Sequence, residues 1–341
     1  MIKYSLIAEV LMKVKIAVVG ATGVVGRMML RVLEERNFPV SELVLFASKR
    51  SAGAVMEFRG EKITVRELNA ENIKTANVKY ALFSAGSDVS REFAPVFAKY
   101  GAVAIDNSKY WRMDKNVPLV VPEVNPDDAF KHHGIIANPN CSTIQAVVAL
   151  KPLHDAFKIK RIVYSTYQAV SGAGRMGIED LENGVKGKAP QKFPYPIAYN
   201  IIPHIDTFDD DGYTFEEMKM VNETRKILGD DTLKITATTA RVPVFYGHSE
   251  SINVEFFKPV TRESALEVLS AAKGVVLRDE PQNNIYPMPI EAAGSDEVYV
   301  GRVRQDFSVD SGLNLWVVAD NIRKGAASNT VQIAELLNSR D

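Results

Sequence analysis

The feature that most constrains this chain is an apolar strand, a glycine-rich turn and an amphipathic helix in immediate succession near its start. Residues 15–19 form a short apolar run. Gly20-Ala21-Thr22-Gly23-Val24-Val25-Gly26 follows, and Val25, Met28, Met29, Val32 and Leu33 then recur at helical spacing. Further apolar runs at 43–47, 80–83, 103–105 and 135–137, with a helix containing an internal proline at 87–100, continue the alternation. Strands alternating with helices predict an α/β fold built on a parallel sheet covered by helices.

Without side chains at Gly20 and Gly23 the backbone turns tightly and approaches a pyrophosphate, and the helix N-terminus supplies amide donors and a favourable dipole. Residues 12–140 are therefore expected to form a Rossmann-type dinucleotide-binding domain, with Gly20, Thr22, Gly23, Val24 and Val25 against the cofactor. For NAD, the second strand should end in an acid that accepts from the ribose hydroxyls. Here it ends Ser48-Lys49-Arg50-Ser51. Two cations and two hydroxyls attract a 2'-phosphate that an acid repels, so the expected cofactor is NADP, held by Arg50 and Ser51. The competing reading is a solvated basic turn, since Lys and Arg are common on loops.

Past Cys141 the texture changes. A helix is expected to end at Lys151-Pro152, and longer strand-like runs at 162–168, 233–242 and 251–257 predict a mixed sheet with one face packed on helices. Residues 172–212, rich in Gly, Pro and Tyr, read as an excursion from that sheet, and excursions of this length are usually functional or interfacial. A last strand and helix, 313–320 and 324–338, are expected to pack back on the first domain. The predicted division is 12–140 plus 321–341 for the cofactor and 141–320 for catalysis, substrate and dimerisation.

Charge and cysteine usage exclude several function classes. A formal net charge of -1 over 341 residues removes the electrostatic basis of nucleic-acid binding. The single cysteine cannot form an internal disulfide, and no Cys/His grouping has zinc-site spacing, so a reducing, cytoplasmic setting without a metal is expected. Residues 1–11 hold no uncharged run long enough to span a bilayer; they read as an alternative start or an extra arm and are assigned no function.

Asn138-Pro139-Asn140-Cys141-Ser142-Thr143 precedes a helical run, which puts Cys141 at a helix N-terminus. Amides there favour an anion, so a lowered thiol pKa is expected, and backbone or Asn140 donors are placed to hold an oxyanion on an attacked carbonyl. A lone cysteine is more often a small buried hydrophobe, but a polar, capped, proline-preceded helix start is a poor setting for one.

In these blocks the chain resembles the aspartate-semialdehyde dehydrogenase family, bacterial form, over nearly its whole length. The resemblance is carried by the 20–26 turn, Arg50-Ser51-Ala52-Gly53, residues 138–143 and 167–174, Glu216-Glu217-Met218-Lys219, residues 241–248, and Asp320-Asn321-Ile322-Arg323-Lys324-Gly325-Ala326. It implies a second domain of the glyceraldehyde-3-phosphate dehydrogenase-like type. It also implies that Cys141 attacks the acyl carbon of L-aspartyl 4-phosphate, that phosphate leaves, and that hydride from NADPH reduces the thioester. His248 is then the general acid/base, a task suited to a group titrating near neutrality. By the same resemblance Arg241 holds the substrate carboxylate, Glu216 the substrate ammonium, and Lys219 and Arg112 the phosphate. Gln168 orients the substrate, while Ser171, Gly172 and Asn321 border the nicotinamide.

Residues 193–199 resemble a family segment near the subunit contact, so a homodimer, or a tetramer of dimers, is expected. Three alternatives stand beside this reading. An N-acetyl-glutamyl-phosphate reductase should lack the carboxylate at Glu216. A non-catalytic NADP-binding paralogue should have lost Cys141. A metal-dependent enzyme is the weakest, for want of clustered ligands.

Overall fold

The computed structural model describes residues 12–340, so the arm read at 1–11 lies outside the described residues. The chain runs β1 (Val14–Val19), α1 (Val24–Glu35), β2 (Val40–Ala47), β3 (Val55–Phe58), β4 (Glu61–Thr64), β5 (Arg66–Glu67), α2 (Ala70–Ala76), β6 (Tyr80–Phe83), α3 (Ser87–Lys99), β7 (Val103–Asp106) and β8 (Ile135–Ala137). Six of these strands make one sheet in the order β5-β2-β1-β6-β7-β8, every neighbouring pair parallel. The continuous apolar character of β1 follows from burial on both faces. Ala17 and Val19 join one core, with Ile73 of α2 and Ala94 and Phe97 of α3, while Ile16 and Val18 join the other, with Met29 and Leu33 of α1.

The second half continues with α4 (Cys141–Phe157), β9 (Ile159–Gln168), α5 (Arg175–Gly184), α6 (Phe215–Leu228), β10 (Lys234–Arg241), β11 (His248–Phe256), α7 (Arg262–Ser270), β12 (Val275–Leu277), α8 (Pro289–Ala292), β13 (Val298–Gln305), β14 (Gly312–Ala319) and α9 (Ser328–Asn338). Its sheet, β10-β9-β11-β14-β13-β12, is mixed as expected, with parallel pairs at both edges and antiparallel pairs between. A π-helical turn, Arg323–Ala327, leads into α9, whose Val331, Ile333 and Leu337 return to the α1 face of the first sheet.

One reading is corrected. The helix expected to stop at Lys151-Pro152 runs on to Phe157. An internal proline costs about 3 kcal/mol. Ile144, Val147, Val148, Leu150 and Leu153 are all 2% exposed or less, and burying each such side chain contributes roughly 1.5–3 kcal/mol, so packing carries the helix through. The 172–212 excursion contributes no strand to the sheet, as expected. It contains α5, and the Asp180 carboxylate accepts from the amides of Gln191, Lys192 and Phe193 at 2.8, 2.8 and 2.9 Å, which folds the segment over a small core of Val170, Leu181, Ile197 and Ile202. No helix among the described residues is long and apolar enough to cross a membrane.

Candidate active site

The second sheet gathers chemistry at one edge. Gln168 ends β9 and Arg241 ends β10, and the two are register partners. His248 opens β11 opposite Ala319, the last residue of β14, and Asn321 follows two residues on. Against that edge lies the start of α4 with Cys141. A cavity of about 640 Å³ opens there, lined among others by Val24, Val25, Arg112, Asn140, Cys141, Gln168, Ser171, Gly172, Glu216, Lys219, Arg241 and Asn321. His248 sits behind Cys141, fully buried. Gly20, Thr22, Gly23, Arg50 and Ser51 do not line this cavity; they lie at the ends of β1 and β2.

Cys141 is placed by a cap. Asn140 accepts with Oδ1 from the amides of Ser142 and Thr143, at 3.0 and 3.3 Å, as the N-cap of α4. Its Nδ2 donates to Glu216 Oε1 at 2.9 Å. Cys141 Sγ is 3.2 Å from His248 Nε2. The Ala169 amide donates to His248 Nδ1 at 3.0 Å, so the proton of the neutral ring belongs on Nε2, facing the sulfur, and the expected general acid/base can donate to the sulfur but has no lone pair there to take its proton.

The expected lowering of the thiol pKa is not found. Burial pushes Cys141 up to about 12, the Glu216 carboxylate adds to the rise, and Arg112, Arg241 and the Ser142 amide oppose it without prevailing. Burial likewise pushes His248 down to about 3, helped by Arg241 and opposed by Glu216. At rest the pair is a neutral thiol beside a neutral imidazole. The helix terminus reduces the cost of a thiolate, but desolvation and a nearby carboxylate outweigh it.

Since the Glu216 charge raises the thiol pKa, removing that charge lowers it. Glu216→Gln is expected to shift the pH profile of Cys141 alkylation by iodoacetamide to lower pH in ligand-free protein, with faster reaction at any fixed neutral pH. An unshifted or slower profile would show that Glu216 does not govern the sulfur.

Glu216 and Lys219 lie on α6, which is fixed by a capping box: Thr214 Oγ1 accepts from the Glu217 amide and Glu217 Oε2 from the Thr214 amide. Glu217 Oε1 also takes the Thr239 amide of β10, docking the helix on the sheet. Burial pushes the Glu216 carboxyl up, but the Lys219 charge and hydrogen bonds from Lys219, Asn140 and Gln168 outweigh it and hold it ionised, below the usual range. Lys219, disfavoured by burial, is kept charged by Glu216 at 3.0 Å and Asp206 at 2.7 Å.

Arg241 stands differently. Its Nη1 donates to the Ala169 carbonyl at 2.7 Å, it is 6% exposed, and no carboxylate among the described residues forms a salt bridge with it; burial lowers its pKa. A cavity-lining guanidinium in that condition has the charge and free N–H groups to receive an anionic group.

At the cofactor end, the Gly20 and Ala21 amides donate to the Phe46 carbonyl of β2, at 2.9 and 3.1 Å, which brings the glycine turn beside the exposed Ser48-Lys49-Arg50 turn. A Cβ at Gly26 would collide with the Gly20 carbonyl oxygen, so α1 can start this close to β1 only with glycine there. The first turn of α1 has neither a side-chain cap nor an acidic residue, leaving its amides for an anion. These residues fit a dinucleotide. Ser171 and Asn321 are hydrogen bonded, Nδ2 to Oγ at 3.0 Å, and Asn321 Oδ1 accepts the Gly247 amide, so both are rigidly held at the cavity wall.

Two neighbours went unread in the sequence. Asp206 ties Lys219 and approaches Lys109 at 3.8 Å; it lies in the irregular segment, where no periodicity marks it. Glu223 pairs with Arg112. Its position seven residues after Glu216 on a helix was the available signal. Among the described residues no group of His, Cys, Asp or Glu is arranged to hold a metal.

The family described as "Semialdehyde dehydrogenase, NAD binding domain" matches residues 15–132, and "Semialdehyde dehydrogenase, dimerisation domain" matches residues 150–324. The aspartate-semialdehyde dehydrogenase of Aquifex aeolicus is 62% identical over 332 residues, covering 95% of this chain and 97% of the relative. Aspartate semialdehyde dehydrogenase II of Vibrio cholerae, solved in complex with ASA, superposes with a TM-score of 0.93 at 48% identity, over 97% of this chain and 99% of that one. The Candida albicans enzyme, solved with NADP, gives a TM-score of 0.78 at 27% identity, over 96% and 99%.

Proposed function

The chain belongs to the aspartate-semialdehyde dehydrogenase family, and from that membership we propose that it reduces L-aspartyl 4-phosphate to L-aspartate 4-semialdehyde with NADPH, through a thioester on Cys141, as a step of amino-acid biosynthesis. The observation that carries the reading is one cavity in which a cysteine–histidine pair meets an ionised carboxylate, an uncompensated guanidinium and two further cations. That set matches an amino acid whose side-chain carboxyl is activated as a phosphate. Glu216 supports this substrate over an N-acetylated one, because it offers a free ammonium a counter-ion that an acetamide cannot use.

Arg241 grips the α-carboxylate and Glu216, oriented by Asn140 and Gln168, the ammonium. Arg112 and Lys219 take the phosphate, and as it binds, Lys219 trades Asp206 for it. With the ammonium added to Lys219 against Glu216, more of the charge that raises the Cys141 pKa is offset, and the sulfur becomes easier to ionise. The sulfur attacks the acyl carbon as its proton passes to the phosphate oxygens, the carbon–oxygen bond to phosphate breaks, and inorganic phosphate departs with the bonding pair and that proton. The reduced nicotinamide, when bound, supplies the hydride that converts the thioester to a thiohemiacetal. His248, with Nε2–H toward the sulfur, stabilises its negative charge during attack and after collapse, when the carbon–sulfur bond breaks and the aldehyde leaves.

The finer parts of the proposal are these. The cofactor is NADP, supported by the basic turn beside the glycine turn and by the absence of an acid at the end of β2. The site lies between a cofactor domain, 12–140 with 321–341, and a catalytic and dimerisation domain, 141–320. The assembly is a homodimer or a pair of dimers, for which the exposed Tyr195, Tyr199 and Ile201 supply apolar surface. A reduced cytoplasm suits an enzyme that depends on one free thiol.

The reaction is tested in reverse, with aspartate semialdehyde, NADP and phosphate or arsenate, by the absorbance of reduced cofactor. Absence of phosphate-dependent reduction would sink it, and reduction with the N-acetyl-glutamyl substrate instead would favour the runner-up. Arg50→Glu replaces attraction of a 2'-phosphate with repulsion, so the KM for NADP is expected to rise by about tenfold or more, with NAD little affected. Equal losses for both cofactors would remove the phosphate assignment.

A further inference from the structure

We propose that Glu223 is a positioning residue that sets the phosphate-binding guanidinium and the nucleophile's loop in register; this rests on the acyl-phosphate reading of the site. The Glu223 side chain is 1% exposed. Its two carboxylate oxygens hold two different loops. Oε1 accepts from Arg112 Nη1 at 3.0 Å, and Oε2 accepts from the backbone amide of Asn140 at 2.6 Å. Arg112 lies on the segment after β7, and Asn140, the residue before Cys141, on the segment after β8. One carboxylate on α6 therefore joins the expected phosphate ligand to the N-cap of the nucleophile helix.

The rest of Arg112 tightens the same link. Its Nε donates to the Asn138 carbonyl at 3.0 Å and its Nη2 to the Asn107 carbonyl at 2.9 Å. The guanidinium is thereby held in one orientation, with N–H groups left over for a ligand. Lys226, one turn beyond Glu223, donates to the carbonyls of Arg112, Asp114 and Val117 at 2.7, 2.7 and 2.8 Å. Along α6, Glu216, Lys219, Glu223 and Lys226 follow at intervals of three, four and three residues, one helical face alternating in sign. Its first half faces the substrate site; its second half fixes the segment that carries Arg112. A buried carboxylate is unfavourable unless paired and fully hydrogen bonded, and Glu223 is both, toward the two groups whose separation decides whether phosphate and sulfur meet one acyl group.

The test uses Glu223→Gln and Glu223→Asp in the full enzyme, assayed with aspartate semialdehyde, NADP and inorganic phosphate, with activity counted per titratable Cys141. Glutamine keeps one acceptor, faces the second donor with an amide, and leaves Arg112 without its counter-charge. The KM for phosphate is expected to rise by about tenfold or more and kcat to fall by about tenfold, the loss of a charged hydrogen bond. Aspartate keeps the charge but is one methylene short, so its defect should be smaller.

In an Arg112→Ala background, Glu223→Gln should add no further rise in phosphate KM while still lowering kcat through the Asn140 arm. A normal KM and kcat per titrated site, or the same KM rise without Arg112, would overturn the proposal, because a residue that merely packs α6 changes the thermal midpoint and the folded yield alone. Should Glu223→Gln not fold, Glu223→Asp carries the same readouts. If the wild type shows no phosphate-dependent turnover, the functional reading fails separately. Phosphate protection of Cys141 against iodoacetamide then reports on Glu223 without turnover, and protection unchanged in the variant would refute the role.

Discussion

Cys141→Ser is expected to abolish phosphate-dependent reduction of NADP by aspartate semialdehyde, by on the order of 10⁴-fold or more, with the cofactor still bound. The substitution is nearly isosteric and leaves the Asn140 cap and the His248 contact in place, so the thermal midpoint should hardly move. What changes is the leaving and attacking group. Even with burial holding the thiol near 12 in the ligand-free site, sulfur ionises far more readily than a serine hydroxyl in the same desolvated position. The neutral His248, whose own pKa burial drives to about 3, presents a protonated Nε2 and is no base for either. The substituted side chain would therefore have to attack as an alcohol. A variant that kept substantial turnover per folded enzyme would remove the covalent route and with it the roles assigned around the sulfur.

The resting state of that sulfur is where sequence reasoning met its limit. A helix start preceded by Asn-Pro-Asn was readable, and the cap formed as expected. The direction of the pKa was not, because it depends on groups brought to the sulfur from elsewhere: burial by the packed surroundings and the Glu216 charge from α6 raise it, against Arg112 and Arg241. The parallel sheet was legible from its apolar runs, because strands buried on both faces carry little else. By contrast β13, with exposed Arg302 and Arg304 alternating with buried Val300 and Val303, offered a weaker pattern and went unread. Pro152 misled because local propensity spoke against a helix that burial sustains. Arg112 was legible as a cation close to the chemistry, but its orienting partner was not, since Glu223 lies 111 residues away in the chain.

The second large effect is expected at Arg241. Arg241→Leu should lower kcat/KM for aspartate semialdehyde by about 10²- to 10³-fold, the loss of a bidentate charge-assisted contact. The reason lies in the protein without ligand. Arg112 has Glu223, and Lys219 has Glu216 and Asp206, whereas Arg241 has one backbone carbonyl and the face of the Phe193 ring 5.9 Å away. Burial lowers the Arg241 pKa and the Glu216 charge only partly opposes it; in the proposed complex a substrate carboxylate would supply the missing charge. The anchor sits beside Gln168 in register at the sheet edge, so losing it frees the substrate to tilt away from Cys141, and kcat should fall together with the rise in KM. Arg241→Lys retains a point charge without the planar fork and should recover only part of the loss. An aldehyde substrate lacking the α-carboxylate separates this account from a structural one. The wild type should discriminate strongly against it and Arg241→Leu only weakly. Equal discrimination by both proteins would mean that the carboxylate is held elsewhere.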